Sequence, residues 1–242
     1  MKELVKEFLK DRVDSSWQDI ILEATLKLDK SYIELILSQE YIPSSGRLFN
    51  AFRTLKRDDV KYILFGQDPY PREQSAIGYA FIDGAVKSIF SENGLSKEVN
   101  RATSLRNFMK MLLVNMGRLD VNNTTKDAIM HTKRDDLINS MGELKDNFQR
   151  AGVLLLNSAL IFTDKKSSSY HVKQWRPFIK HLLDAIDKDI ELILFGTHAK
   201  EIINKLTPKQ RYIITEHPFN VSFIRSKEAH KLFGEMNLLF PH

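Results

Sequence analysis

The sequence predicts an α/β fold with a central parallel sheet of about four strands sandwiched by helices, and three observations lead there. Four short apolar runs lie at wide intervals: Tyr62 to Phe65, Val153 to Leu160, Leu192 to Phe195, and Tyr212 to Ile214. They are near-continuous rather than alternating, as in strands covered on both faces. Helical patterns lie between them, such as Phe178 to Ile186 and Lys200 to Leu206. Each run also ends in polar residues, as strands do when they deliver loops to one edge of a sheet.

The elements follow in order. Asp14-Ser15-Ser16 offers N-caps for an amphipathic helix from Trp17 to Leu28, and Tyr32 to Ile36 continues in the same style. Pro43-Ser44-Ser45-Gly46 breaks the pattern, after which Leu48, Phe49, Phe52 and Leu55 mark an apolar helical face. Between Asn115 and Phe148 the chain is polar and charged, with Asn122-Asn123-Thr124-Thr125 as the flexible point of a helical excursion. No repeat or low-complexity tract appears. The expectation is a single domain over 1–242, with 1–60 a helical part packed on the sheet. Residues 61–242 then form the sheet core, with the excursion around 115–148.

Of 242 residues, 43% are hydrophobic, and the mean hydropathy is -0.30. Both values are ordinary for a globular protein. No apolar run approaches the roughly 18 residues of a membrane span. Met1-Lys2-Glu3-Leu4-Val5-Lys6-Glu7 lacks the apolar core of a signal peptide. An intracellular, cytoplasmic protein without membrane association is expected. The chain has no cysteine, which excludes disulfides, thiolate nucleophiles and every Cys-ligated zinc or iron–sulfur site. Its seven histidines include no two at a metal-ligand spacing on one helix, so neither metal nor cofactor is expected.

The net charge is +5 and the pI about 9.2. This is compatible with a nucleic-acid partner and equally with a solvated basic surface. Lys165-Lys166, Lys205, Lys209, Arg211, Arg225, Lys227 and Lys231 fall near predicted strand ends or in loops, where open α/β sheets bind ligands.

The nine residues Ile63-Leu64-Phe65-Gly66-Gln67-Asp68-Pro69-Tyr70-Pro71 carry the most chemistry. Glycine permits close backbone approach to a ligand, and two prolines fix φ on either side of Tyr70. An acid and an aromatic ring stand between them. By itself the stretch fits a strand followed by a surface turn with a solvated Asp better than a site. The second run contains Asn157, an amide among leucines that must find hydrogen-bond partners or cost stability. Bonding to neighbouring backbone would satisfy it as well as a ligand would. The third run ends Gly196-Thr197-His198-Ala199 and the fourth Glu216-His217-Pro218. His217 alone fits a structural or solvated role. Four such strand ends together would converge on one rim.

These residues, taken in order, resemble the motifs of family 1 uracil-DNA glycosylases. The resemblance rests on Gly66-Gln67-Asp68-Pro69-Tyr70, Gly78-Tyr79-Ala80-Phe81, Gly152-Val153-Leu154-Leu155-Leu156-Asn157 and His217-Pro218. Leu48-Phe49-Asn50-Ala51-Phe52, Gly196-Thr197-His198-Ala199 and Trp175 support it. It runs from about Trp17 to Leu239, weakly between motifs. Other branches of that superfamily usually carry Asn or Glu-Ala near the position of Asp68, and several hold an iron–sulfur cluster. Asp68 and the missing cysteines therefore place the chain with family 1.

The resemblance implies hydrolysis of the N-glycosidic bond of flipped-out deoxyuridine in DNA, without cofactor. It gives catalytic roles to Asp68, at the sugar cation and the attacking water, and to His217, at uracil O2. It gives uracil binding to Asn157 at N3–H and O4, Phe81 by stacking, Tyr70 against C5, and Gln67 through its backbone amide. Phe81 also fits a core position, and Gln67 a solvent-facing one. Ser104, Thr197 and Ser222 correspond to phosphate-contacting loop positions, and Val221 to the apolar wedge that replaces the flipped base. Val221 fits a plain loop residue equally. The implied partners are uracil-containing DNA, single- or double-stranded, and a proteinaceous glycosylase inhibitor, and a monomer is expected.

The chain also departs from that pattern. The usual Tyr-His-Gly-Pro-Gly is here Tyr70-Pro71-Arg72-Glu73-Gln74, and His-Pro-Ser-Pro-Leu-Ser is His217-Pro218-Phe219-Asn220-Val221-Ser222. A glycine-phenylalanine segment is replaced by Ile224 to His230. The rewritten loops favour a rival reading, a DNA-binding or replication-accessory module with weak or no catalysis. The intact Asp68, Asn157 and His217 oppose it. A glycosylase with shifted base preference would need an opened pocket, against which Tyr70 argues.

Overall fold

The computed structural model describes residues 13–44 and 46–241. The Met1 to Glu7 stretch read for a leader, and Ser45 of the predicted break, lie outside the described residues. In chain order the helices are α1 (Gln18–Thr25), α2 (Lys30–Leu37), α3 (Lys97–Arg101), α4 (Thr103–Asn115), α5 (Lys126–Met130), α6 (Met141–Arg150), α7 (Ser168–Ala185), α8 (His198–Leu206) and α9 (Lys227–Gly234). The strands are β1 (Tyr62–Gly66), β2 (Phe90–Ser91), β3 (Gly94–Leu95), β4 (Val153–Asn157), β5 (Glu191–Phe195) and β6 (Tyr212–Thr215).

Four of the strands form the predicted sheet, in the order β4-β1-β5-β6, and β2 pairs with β3 in a separate hairpin. β1 runs parallel to β4, with Tyr62 opposite Val153 and Gly66 opposite Asn157. It also runs parallel to β5, with Tyr62 opposite Glu191. Along β5, Leu192 N bonds Arg211 O at 2.9 Å and Gly196 N bonds Thr215 O at 3.0 Å, so β6 keeps the same direction. Because the strands are parallel, all four C-terminal ends fall on one side. Ile63 to Phe65 and all of β4 are buried, which explains their unbroken apolar runs. β6 differs from expectation. It is an edge strand with one open face, and Tyr212 and Ile214 are 46% and 44% exposed.

Several predicted boundaries move. The Val153 to Leu160 run leaves the sheet at Asn157, so this amide closes a strand instead of interrupting one. Leu48 to Leu55 yields only a 3-10 turn at Asn50–Phe52. The 115–148 excursion holds just α5 and α6. Ahead of α5, Asp120 to Asn123 forms a turn, in which Asn123 N bonds Asp120 O at 2.9 Å. The Thr125 hydroxyl then caps α5 at Ala128 N, 3.2 Å away.

The described residues cluster into two compact units. One comprises the described residues within Met1–Gly84, Gly152–Leu194 and His198–Tyr212, and the other those within Ala85–Ala151, Phe195–Thr197 and Ile213–His242. The first unit packs α1 on α7. Asp14 starts the approach to α1 by accepting from Ser16 N at 2.9 Å, a cap of about 1 kcal/mol. Trp17 is fully buried, meets Phe52 edge-on at 5.1 Å and donates from Nε1 to Leu55 O at 2.8 Å. Truncating it to alanine would cost about 3–5 kcal/mol. Trp175 and Phe178 of α7 are also fully buried, their rings 5.1 Å apart.

The second unit has its own aromatic core. Phe108 of α4 lies 4.9 Å from Phe233 of α9, 6.0 Å from Phe148 of α6 and 6.1 Å from Phe223. A capping box, Ser140 with Glu143, opens α6. Asn147 ties that helix to the C-terminal segment, donating to Leu238 O at 3.0 Å and Phe240 O at 2.8 Å.

Candidate active site

The first unit joins two strand ends into one loop cluster. Beyond the paired Gly66 and Asn157, Ser158 N donates to Gly66 O and Ala159 N to Gln67 O, each at 2.9 Å. The turn carrying Gln67 and Asp68 is therefore held at its backbone by the segment leaving β4. Glycine is required at 66 because a Cβ there would collide with Asn157 Oδ1 and stand 3.1 Å from the Ala80 Cβ. The Asn157 carboxamide thus lies directly over Gly66. Asn157 is 7% exposed, and its carboxamide has no hydrogen-bond partner among the described residues. Of the two options open for it, bonding to neighbouring backbone is ruled out. The carboxamide keeps its one acceptor and one donor group for a partner from outside the chain, water or ligand.

Tyr70 and Phe81 stand together. The Tyr70 hydroxyl donates to Phe81 O at 3.3 Å, and Ala80 N bonds Leu155 O of β4 at 3.1 Å. Phe81 has a φ of 68°, a left-handed conformation that costs an aromatic residue about 1–3 kcal/mol and clusters at binding sites. Burial, with the Asp83 charge adding to it, pushes the Tyr70 hydroxyl far above its ordinary pKa. Tyr70 therefore remains neutral near pH 7. Phe81 is half-buried and does not belong to the closed core.

Asp68 is half-buried and Gln67 exposed. Ser168, at the start of α7, bonds both: its hydroxyl donates to Asp68 Oδ2 and accepts from Gln67 Nε2 at 3.2 Å. Two histidines of this unit also feel the Asp68 charge. His171 is held between the Tyr32 hydroxyl, 2.7 Å from Nδ1, and the Thr163 hydroxyl, 2.8 Å from Nε2. His198 lies 2.9 Å from the Ser158 hydroxyl through Nε2. Burial lowers the pKa of both, only partly offset for His171 by Asp164 and Asp68, and for His198 by Glu201, Gly66 and Asp68. Both imidazoles are therefore neutral near pH 7, and Asp68 has no ion-pair partner among the described residues. Among the described residues no three His, Cys, Asp or Glu side chains converge as a metal site would require.

The second unit holds the other predicted residues. His217 heads the turn after β6, with Asn220 N bonded to His217 O at 2.9 Å. Phe219 N donates to His217 Nδ1 at 3.0 Å, which makes Nδ1 the acceptor and leaves the ring proton of the neutral imidazole on Nε2. Gly196 has a φ of +54°, and a Cβ there would come 3.0 Å from the His217 Cβ. Asn107, 2% exposed, donates to Pro218 O at 2.8 Å and Phe219 O at 3.2 Å. The turn is thus fixed from both sides. Thr197 is exposed beside Gly196, and Ser104 is half-buried one turn before Asn107 on α4. Val221 and Phe219 are 69% and 64% exposed. Ser222 donates its hydroxyl to Glu216.

The Uracil DNA glycosylase superfamily profile matches residues 52–240. The chain belongs to the uracil DNA glycosylase superfamily. A "Uracil-DNA glycosylase" of Clostridium perfringens (strain SM101) is 27% identical over 233 residues, covering 93% of this chain and 90% of that one. One of Fusobacterium nucleatum is 26% identical over 243 residues, covering 96% and 92%. The wild-type UNG of Nitratifractor salsuginis is 49% identical, covers 100% of this chain and 97% of its own, and superposes with a TM-score of 0.92. A mimivirus UNG variant in complex with UGI, at 19% identity and a TM-score of 0.56, shares the fold.

Sequence reasoning missed Ser168, His171 and Asn107 as members of this glycosylase's loop clusters. Asn107 had a usable signal, a single amide on the apolar face of Leu105 to Leu113. Ser168 had none, because Ser167-Ser168-Ser169 reads as a solvated helix start.

Proposed function

We propose that the chain is a uracil-DNA glycosylase that hydrolyses the N-glycosidic bond of a flipped-out deoxyuridine and leaves an abasic site. The observation that carries this reading is the buried, unpartnered Asn157 carboxamide above Gly66. Its oxygen would accept from uracil N3–H and its amide donate to O4, a pattern cytosine mismatches. Phe81 would stack on the base. Tyr70 would stand against C5, where thymine carries its methyl.

As the C1′–N1 bond breaks, the electron pair passes to the base and positive charge grows on the sugar. The Asp68 carboxylate would stabilise that charge and orient the water whose oxygen bonds C1′. The Nε2–H tautomer of His217 suits donation to uracil O2 as negative charge develops there, and a preorganised donor of this kind is worth about 10²–10³ in rate. Gln67 would shape the loop through its backbone.

For DNA, Ser104, Thr197 and Ser222 would contact phosphates, with Ser222 leaving Glu216 to do so, and Val221 would act as the wedge beside the exposed Phe219. Both single- and double-stranded uracil-DNA are proposed substrates for one monomeric glycosylase domain working inside the cell. The complex of the mimivirus UNG variant with UGI makes UGI the inhibitor to test. The accessory-module reading is not favoured, since the curated relatives named above carry the enzyme's name across nearly their whole length.

The test is alkali-sensitive cleavage of an oligonucleotide bearing one uracil, beside thymine and mismatch controls. Cleavage confined to the uracil strand is expected. No abasic product with enzyme in excess would sink the reading.

A further inference from the structure

We propose that Ser168 is a positioning residue for Asp68, fixing one carboxylate oxygen so that the other is presented to the reaction. The inference rests on the glycosylase reading of Asp68. A serine hydroxyl has one proton and two lone pairs. At Ser168 one lone pair is taken by Gln67 Nε2, at 3.2 Å, and the proton points to Asp68 Oδ2. Among the described residues no other side chain or backbone N–H bonds the Asp68 carboxylate. Without this hydroxyl, rotation about the Cβ–Cγ bond would exchange the two oxygens freely.

The hydroxyl is well placed to resist that rotation. Ser168 is 8% exposed and opens an eighteen-residue helix whose buried face continues through His171, Trp175 and Phe178. The turn before it is pinned by Asp164, which accepts from Lys166 N at 2.7 Å, Ser167 N at 3.1 Å and the Ser167 hydroxyl at 2.7 Å. One turn later His171 is locked between Tyr32 and Thr163. Ser168 therefore sits on a rigid element and reaches a residue on a loop, the arrangement that preserves reactive geometry. The Gln67 amide adds direction, because its donation leaves Asp68 as the acceptor for the hydroxyl proton. This gives the Gln67 side chain a role separate from its backbone.

The experiment is a double-mutant cycle in single-turnover uracil excision. Ser168→Ala should slow the chemical step about 10- to 100-fold and leave KM for uracil-DNA almost unchanged, since the lost contact orients the reaction more than the substrate. Ser168→Thr keeps the hydroxyl and should recover most of the rate. In an Asp68→Asn background, Ser168→Ala should cost little more, because its action passes through Asp68. Equal fold-losses in both backgrounds, or a Ser168→Ala enzyme at the wild-type rate, would overturn the proposal and leave the glycosylase reading intact. An inactive wild type would overturn both. If Ser168→Ala fails to fold, Gln67→Ala serves: it should slow excision severalfold in the wild-type background and not in Asp68→Asn, and a loss in both overturns the proposal.

Discussion

The backbone N–H of Phe219 donates to His217 Nδ1 at 3.0 Å and so dictates which nitrogen of that ring carries its proton. Asn107 holds the same turn by its carbonyls. The donor proposed for uracil O2 would thus be set before substrate arrives, with no change of tautomer needed as the bond breaks.

His217→Ala should lower the single-turnover rate by about 10²–10³ and leave DNA binding within severalfold of wild type. Asn107→Ala should lose part of the same rate through the turn. Nitrogen chemical shifts of the His217 ring check the tautomer, with the proton expected on Nε2 in both free and DNA-bound enzyme.

Gly66→Ala is a steric probe of the Asn157 carboxamide. Its Cβ would drive the Asn157 carboxamide from its place. Excision should fall by about two orders of magnitude, and the thermal midpoint should fall by only a few degrees. Ser158→Ala, which keeps the backbone bond to Gly66, should retain most activity.

Tyr70→Ala should open the space proposed for C5. Thymine excision should rise above background, and uracil excision should drop about tenfold as the wall and the bond to Phe81 O are lost. Competition between uracil- and thymine-containing oligonucleotides reads the change in selectivity.

Stability should depend on pH through His171 and His198. Burial holds both folded pKa values below the ordinary 6.5. The unfolded chain therefore takes up protons first, and stability present above pH 6.5 declines as pH falls from there toward the folded pKa values. The slope is at most about 1.4 kcal/mol per pH unit for each histidine. Thermal melts from pH 8 to pH 5 should show this decline, and His171→Asn should flatten part of it.

Much of the fold is legible in the sequence because burial on both faces writes unbroken apolar runs at β1, β4 and β5. β6 misleads for the converse reason: Tyr212 and Ile214 are apolar yet open to solvent on an edge. Asn157 was legible as an amide without an obvious partner, and its geometry over Gly66 comes from the β1–β4 register, which lies outside any local window. Ser168 stands a hundred residues from Asp68 in the chain. Nothing in a serine triplet marks the one whose hydroxyl reaches a carboxylate.

The central claim is that the Asn157 carboxamide reads the base, and Asn157→Asp tests it most directly. A protonated aspartic acid would donate to cytosine N3 and accept from its amino group. Single-turnover excision from oligonucleotides carrying uracil or cytosine should show uracil release reduced and cytosine release newly detectable. An Asn157→Asp enzyme that still excises uracil at the wild-type rate and ignores cytosine would contradict the account.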